Sequence, residues 1–303
     1  MTTAQPLRGV DALGAFAADI KLSHSIFAMP FALLAATLAA KEAQFGETWG
    51  VGTFVLVVVC MIAARTVAMG ANRLLDAEID AKNPRTSRRS IPAGRLTKRY
   101  VATTVVGWAI AFEVACVGFG LIYGNWLPAM LGPVVLAVLA AYPLLKRFTS
   151  LCHYYLGLCL ALAPPCAWIA VAGTIAIEPV LMGLAVLCWT AGFDVIYATA
   201  DVETDVRDGV HSVPSKLGIA KALWVSRATH VVAMAFLVAL GVASPLLGVV
   251  WYAAVAIVGG LFVVEHRLVR ADDLSKVGLA FFTVNGVIAV LLGSAGIIDA
   301  VLA

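Results

Sequence analysis

The 303-residue sequence predicts an all-α membrane protein, a bundle of about nine transmembrane helices with its N-terminus in the cytoplasm. Three observations carry this reading. Apolar residues make up 62% of the chain and charged residues only 13%, too few charges to cover a soluble domain. Mean hydropathy is +0.95, and the apolar residues fall in runs of about 20, the length that crosses the hydrocarbon core. Basic residues collect in alternate loops, the pattern that sets orientation. Lipid offers no partner to backbone N–H and C=O groups, so each run must satisfy its own as a helix.

The runs are 23–40, 49–70, 101–122, 127–145, 151–172, 179–200, 220–242, 246–264 and 277–298. The segment before the first lacks a basic start followed by an apolar core and a cleavage site, so no removable signal peptide is expected. A long charged loop, 71–100, follows the second run. Runs three and four are joined only by 123–126. A second charged loop, 201–221, follows run six. The loops after runs two, four, six and eight carry sixteen Lys and Arg residues, and the other connecting loops carry only Lys41. A missed run would scramble this alternation. One domain, 1–303, is expected in the inner membrane. The net charge of +3 gives no reason to expect a nucleic-acid partner. None of the six cysteines forms a C-x-x-C pair, and Cys152, Cys159 and Cys166 share a helix face as small hydrophobes.

The chemistry lies at two run ends. Asn72, Asp76 and Asp80 are spaced by four and line one helix face. Asp201 and Asp205 repeat the spacing, with Asp194 two turns earlier on the same face. Aligned acids beside lipid mark a functional site. Unpaired, they would repel or take up protons. Mg²⁺ resolves the conflict, because it takes hard oxygen ligands and is commonly held by one or two carboxylates plus substrate phosphates. Two facing clusters would bind a diphosphate between them. Glu78 and Glu203 fall off the aligned face. The loops beyond the clusters are alike: Arg89, Ser90, Ile91 and Pro92 match His211, Ser212, Val213 and Pro214, which suggests an internal duplication.

These residues resemble the UbiA superfamily of intramembrane prenyltransferases. The likeness rests on N-x-x-x-D-x-x-x-D at Asn72, Asp76 and Asp80, and on D-x-x-x-D at Asp201 and Asp205. It also rests on an R-T-x-x-R-x-L-P-x-G-like loop at Arg85, Thr86, Arg89, Ile91, Pro92 and Gly94, and on segment 142–149. The 24–31 and 193–198 segments are most similar to the quinone branch. Residues 88–92 depart from the N-R-P-L-P common in 4-hydroxybenzoate enzymes, which leaves the acceptor open. The resemblance implies a nine-helix bundle around a cavity that opens to lipid. It implies Mg²⁺-dependent transfer of a polyprenyl group from a polyprenyl diphosphate to a small aromatic acid. The five motif residues would be metal ligands and catalytic. Arg65, Arg73, Arg85, Arg89 and Lys146 would bind the diphosphate, while His24, Asp194 and Tyr197 would meet substrate.

Two other readings fit parts of the pattern. A transporter would place charged or broken helices near mid-membrane, whereas these clusters lie at run ends. A sister enzyme would keep the diphosphate site and take dihydroxynaphthoate, haem, chlorin or a glycerol phosphate. Glu113, inside the third run, is an acid with no assigned partner, and a basic partner or a proton would each satisfy it.

Overall fold

The computed structural model describes residues 6–21, 27–42 and 50–303, and the described residues are helical with no strand. The helices are α1 (Gly9–Ile20), α2 (Met29–Glu42), α3 (Val51–Leu75), α4 (Ala77–Lys82), α5 (Lys98–Tyr123), α6 (Leu127–Leu145), α7 (Cys152–Ala161), α8 (Ala163–Ala172) and α9 (Ile177–Ala198). They continue with α10 (Val202–Asp208), α11 (Val213–Leu217), α12 (Ile219–Ala243), α13 (Val249–Leu268), α14 (Val277–Leu279) and α15 (Asn285–Leu302). Eight spans among the described residues are long and apolar enough to cross a membrane. They match the second to ninth predicted runs.

The described helix of the first run, α2, has 14 residues, most of them buried among other helices. Phe31, Leu34 and Leu38 join Trp168, Met182, Trp189, Leu240, Trp251, Ile288 and Leu292 in the central core. The fifth run is broken at Leu162 into α7 and α8. Pro164 and Pro165 follow the break, where they lack N–H donors and crowd the preceding turn. α9 is the axis of the bundle and lies against α7 and α12. Gly157 of α7 permits this approach, because a Cβ there would collide with the Leu187 carbonyl oxygen. Lipid receives the large exposed side chains of α5, α6 and α12, including Val106, Ile110, Leu121, Met130, Val134, Val231 and Val242.

Two features were not legible as runs. α1 is a short amphipathic helix that buries Ala12, Phe16 and Ile20 against Leu96 and Val101. Twelve residues are too few to span, so a search for spans passes over it. The last span contains a π-helical turn between α14 and α15, Ala280–Val284, whose Phe281 and Phe282 line the cavity.

The charged loops meet at one end of the bundle. Arg85 pairs with Asp201, Arg207 Nη2 donates to the Lys82 carbonyl at 3.3 Å, and His211 N–H donates to the Lys146 carbonyl at 2.7 Å. The loops after the second, fourth and sixth runs therefore share a side, as their basic residues require.

Candidate functional site

A cavity of about 790 Å³ opens at this end. Its walls include Asn72, Asp76, Asp80, Asp194, Asp201 and Asp205, so both acidic clusters face one space. On α6 the lining runs from Lys146 back to Pro128, eighteen residues, or about 27 Å of helix at 1.5 Å each. Along that length the walls turn apolar, with Phe112, Cys116, Phe119, Leu131 and Leu139.

The first cluster spans a helix break and keeps its register. α3 ends at Leu75 and α4 begins at Ala77, yet Asp76 N–H still donates to the Asn72 carbonyl and Asp80 N–H to the Asp76 carbonyl. The i, i+4 ladder through the break holds the three side chains on one face. Asp76 is fully buried. Its Oδ2 accepts from Asn72 Nδ2 at 2.5 Å and Lys146 Nζ at 2.7 Å, and its Oδ1 is buried with no partner among the described residues. Burial pushes the Asp76 carboxyl above its ordinary value, against the pull of the Lys146 ammonium. Arg89 Nη1 lies 2.7 Å from both oxygens of Asp80. Arg73 donates to Asn72 Oδ1 at 2.8 Å and to the Asp19 carbonyl at 3.2 Å.

In the second cluster, Asp201 receives a fork from Arg85 and a bond from Asn83 Nδ2 at 3.0 Å. Arg85 also donates to Tyr197 Oη at 2.6 Å. Asp205 accepts from Ser212 Oγ at 2.9 Å. The two similar loops thus behave alike: each folds back onto the last carboxylate of its own cluster, Arg89 on Asp80 and Ser212 on Asp205. Asp194 lies deeper, with Oδ2 2.7 Å from His153 Nδ1. Glu78 and Glu203 are exposed, as their place off the face implies.

Arg65 lines the cavity from within α3. Its Nη2 contacts the Ile20 and Lys21 carbonyls at 3.5 and 3.2 Å, and its buried Nε has no partner among the described residues. Tyr197 stacks on Phe281 with centroids 4.1 Å apart, and Phe193 packs edge-on against the same ring. His24 lies outside the described residues.

Residues 28–287 match the model of the UbiA prenyltransferase family. The chain belongs to that family. Relatives of this UbiA-family chain include the 4-hydroxybenzoate octaprenyltransferase of Alkalilimnicola ehrlichii, 33% identical over 77% of this chain and 76% of that one. That of Chromohalobacter salexigens is 28% identical over 76% and 75%. The apo UbiA homolog from Aeropyrum pernix K1 superposes with a TM-score of 0.80 at 27% identity, covering 92% of this chain and 98% of that one. A homolog from Archaeoglobus fulgidus bound to DMAPP and Mg²⁺ shares the fold, with a TM-score of 0.69 at 14% identity over 95% and 99%. The protein is a multi-pass membrane transferase.

Three groups at the site of this prenyltransferase escaped the sequence reading. Lys21, in the left-handed region at the end of α1, sets its Nζ 4.6 Å over the Phe282 ring and lines the cavity. Burial lowers its pKa, and the charges of Arg89, Arg73 and Arg85 lower it further. Asn83 and His153 are ordinary polar residues in sequence and belong to no repeated spacing. Glu113 sits against Gly132 of α6, with Oε1 buried and unbonded among the described residues, away from the acidic end. The basic partner considered for it is not found there.

Proposed function

We propose that this prenyltransferase moves a polyprenyl group from a polyprenyl diphosphate to an aromatic acid of the 4-hydroxybenzoate type, with Mg²⁺, in ubiquinone or menaquinone biosynthesis. The observation that carries the reading is a single cavity, about 27 Å long on its α6 side, with two acidic clusters and several cations at one end and apolar walls beyond. A substrate with a charged head and a long hydrocarbon tail matches both halves.

The residues suit a hard divalent ion. The donors are carboxylate and amide oxygens, and Asp76 Oδ1 is a buried acceptor without a donor among the described residues. Among the described residues no three His, Cys, Asp or Glu side chains gather to hold an ion unaided, which fits an ion completed by substrate phosphates. Each cluster would contribute to holding an ion, Asn72, Asp76 and Asp80 on one side of the diphosphate and Asp201 and Asp205 on the other. When bound, Mg²⁺ acts as a Lewis acid that offsets negative charge on the departing diphosphate. Lys21, Arg73, Arg85, Arg89 and Lys146 offer N–H donors to phosphate oxygens. Because the leaving diphosphate is where charge develops, these preset donors favour ionisation of the allylic C–O bond over the ground state. Arg65, whose buried Nε has no partner among the described residues, adds a further donor to the cavity wall for substrate. The rings of Phe193, Tyr197 and Phe281 exclude water from the prenyl cation until the aromatic carbon attacks.

Purified protein with Mg²⁺, a prenyl diphosphate and a panel of aromatic acids is expected to give prenylated 4-hydroxybenzoate by mass spectrometry. Product only from dihydroxynaphthoate would move the acceptor and keep the reaction. No prenylated product from any acceptor would overturn the reading.

The same proposal has the site open to the cytoplasm of an inner-membrane protein, since Lys and Arg are retained there. A cysteine-free variant carrying single cysteines at the exposed positions Arg88, Glu203 or Thr174 tests it. An impermeant thiol reagent added to intact cells is expected to label position 174 and to label 88 and 203 only after the membrane is opened. Outside labelling at 88 or 203 would reverse the orientation.

A further inference from the structure

His153 is 3% exposed, at the start of α7, and both of its ring nitrogens are engaged. The Val213 backbone N–H donates to Nε2 at 3.1 Å. A backbone amide only donates, so Nε2 carries no proton. The proton of the neutral ring is then on Nδ1, which lies 2.7 Å from Asp194 Oδ2. His153 is therefore a fixed donor to Asp194. Its other partner begins α11, in the loop that returns from the second cluster. That loop is pinned beside the diphosphate end: Ser212 Oγ donates to Asp205 at 2.9 Å, and His211 N–H to the Lys146 carbonyl at 2.7 Å. Lys146 in turn holds Asp76. One buried ring thus joins the loop over the acidic clusters to the carboxylate that lies deeper in the cavity, beside Phe193.

We propose that His153 is a positioning residue that aims Asp194 at the aromatic acceptor and couples that aim to the seating of the 211–213 loop. The proposal rests on the aromatic-acceptor reading above. Asp194 touches the acceptor; His153 acts only through it. A carboxylate with one oxygen fixed by His153 presents the other to the acceptor hydroxyl, whose loosened proton enriches the attacking ring.

Two variants divide the two bonds. In His153→Gln the amide oxygen takes the place of Nε2, so Val213 keeps its acceptor and Asp194 loses its donor. In His153→Asn the amide nitrogen takes the place of Nδ1, so Asp194 keeps its donor and the loop is released. His153→Gln is expected to lower kcat/KM for the aromatic acid about 10²-fold, the scale of an ångström-level misplacement, with the prenyl diphosphate KM nearly unchanged. His153→Asn is expected to do the reverse, raising the prenyl diphosphate KM and sparing acceptor turnover. Added to Asp194→Ala, His153→Gln should cost nothing further, because both act on one group. Equal defects in both variants, additive loss on Asp194→Ala, or full acceptor turnover in His153→Gln would overturn the assignment. If His153→Gln fails to fold, His153→Asn with unaltered acceptor and donor kinetics would overturn it as well. Wild-type protein in the same assay separates the two readings: no aromatic product from wild type overturns the acceptor reading and this proposal with it, whereas active wild type beside fully active His153→Gln overturns His153 alone.

Discussion

Asp76→Ala and Asp201→Ala are each expected to cut product formation about 10³-fold while the bundle still folds. The magnitude follows from removing one preset electrostatic group at a developing charge, which costs about 10²–10³ in kcat, or about 4 kcal/mol at the upper end. Neither change strips the core. Asp201 faces Arg85, whose side chain is 40% exposed, so breaking that pair leaves a solvated guanidinium rather than a buried charge. Asp76 is fully buried, but its partner Lys146 is 26% exposed and borders the cavity, where water can take over. Glu78 is the control. Its side chain is 89% exposed, and its pair with Lys98 is long at 3.5 Å, so Glu78→Ala should leave activity within about twofold. Product yield per folded protein, with thermal unfolding in detergent, checks all three. Equal losses would mean that net charge at this face matters, and not a site built from aligned carboxylates.

Much of this was legible because a bilayer simplifies the code. Length and hydropathy suffice to find a lipid-facing span, and spacing by four suffices to align Asn72, Asp76 and Asp80 on any helix. Both signals are local. What escaped depended on contacts between distant segments. α2 is the clearest case: its residues read only as an apolar run, and that Leu34 and Leu38 are buried by other helices was not readable, because apolar composition does not distinguish lipid from protein as a neighbour. His153 was missed because its partners, Asp194 and Val213, are far apart in the chain and share no motif. Lys21 was missed because α1 is amphipathic and short, and only the fold brings its end to the Phe282 ring. The Pro164–Pro165 pair did carry a readable signal for the break at Leu162, since proline cannot continue the hydrogen-bond ladder. The pairing of the two loops was foreseen only as a likeness of sequence. Its physical content, a return of each loop onto its own last carboxylate, rests on contacts that only the fold creates.

Removing divalent ions is expected to abolish turnover and leave the fold intact, and the pairing of the carboxylates with protein cations bears on both. Four aligned carboxylates at one cavity mouth would repel one another, but in this chain Lys146 meets Asp76, Arg89 meets Asp80, Arg85 meets Asp201 and Ser212 meets Asp205. Three of the four carboxylates meet a cation and the fourth accepts a hydroxyl hydrogen bond, so EDTA should shift the unfolding temperature little. Catalysis is a different matter. The same cations cannot hold carboxylates and a diphosphate equally well at once, and an ion completed by phosphate oxygens would release them to the leaving group. Metal ions bind deprotonated ligands, so Asp76→Asn, which keeps the shape and removes the charge, should raise the Mg²⁺ concentration needed for half-maximal rate, whereas Glu78→Gln should not. The measurement is a Mg²⁺ titration of chelated protein with rate and thermal unfolding read on the same samples. Full activity after exhaustive chelation would end the two-cluster account. Unfolding on chelation would instead make the metal structural, with the cation pairs too weak to replace it.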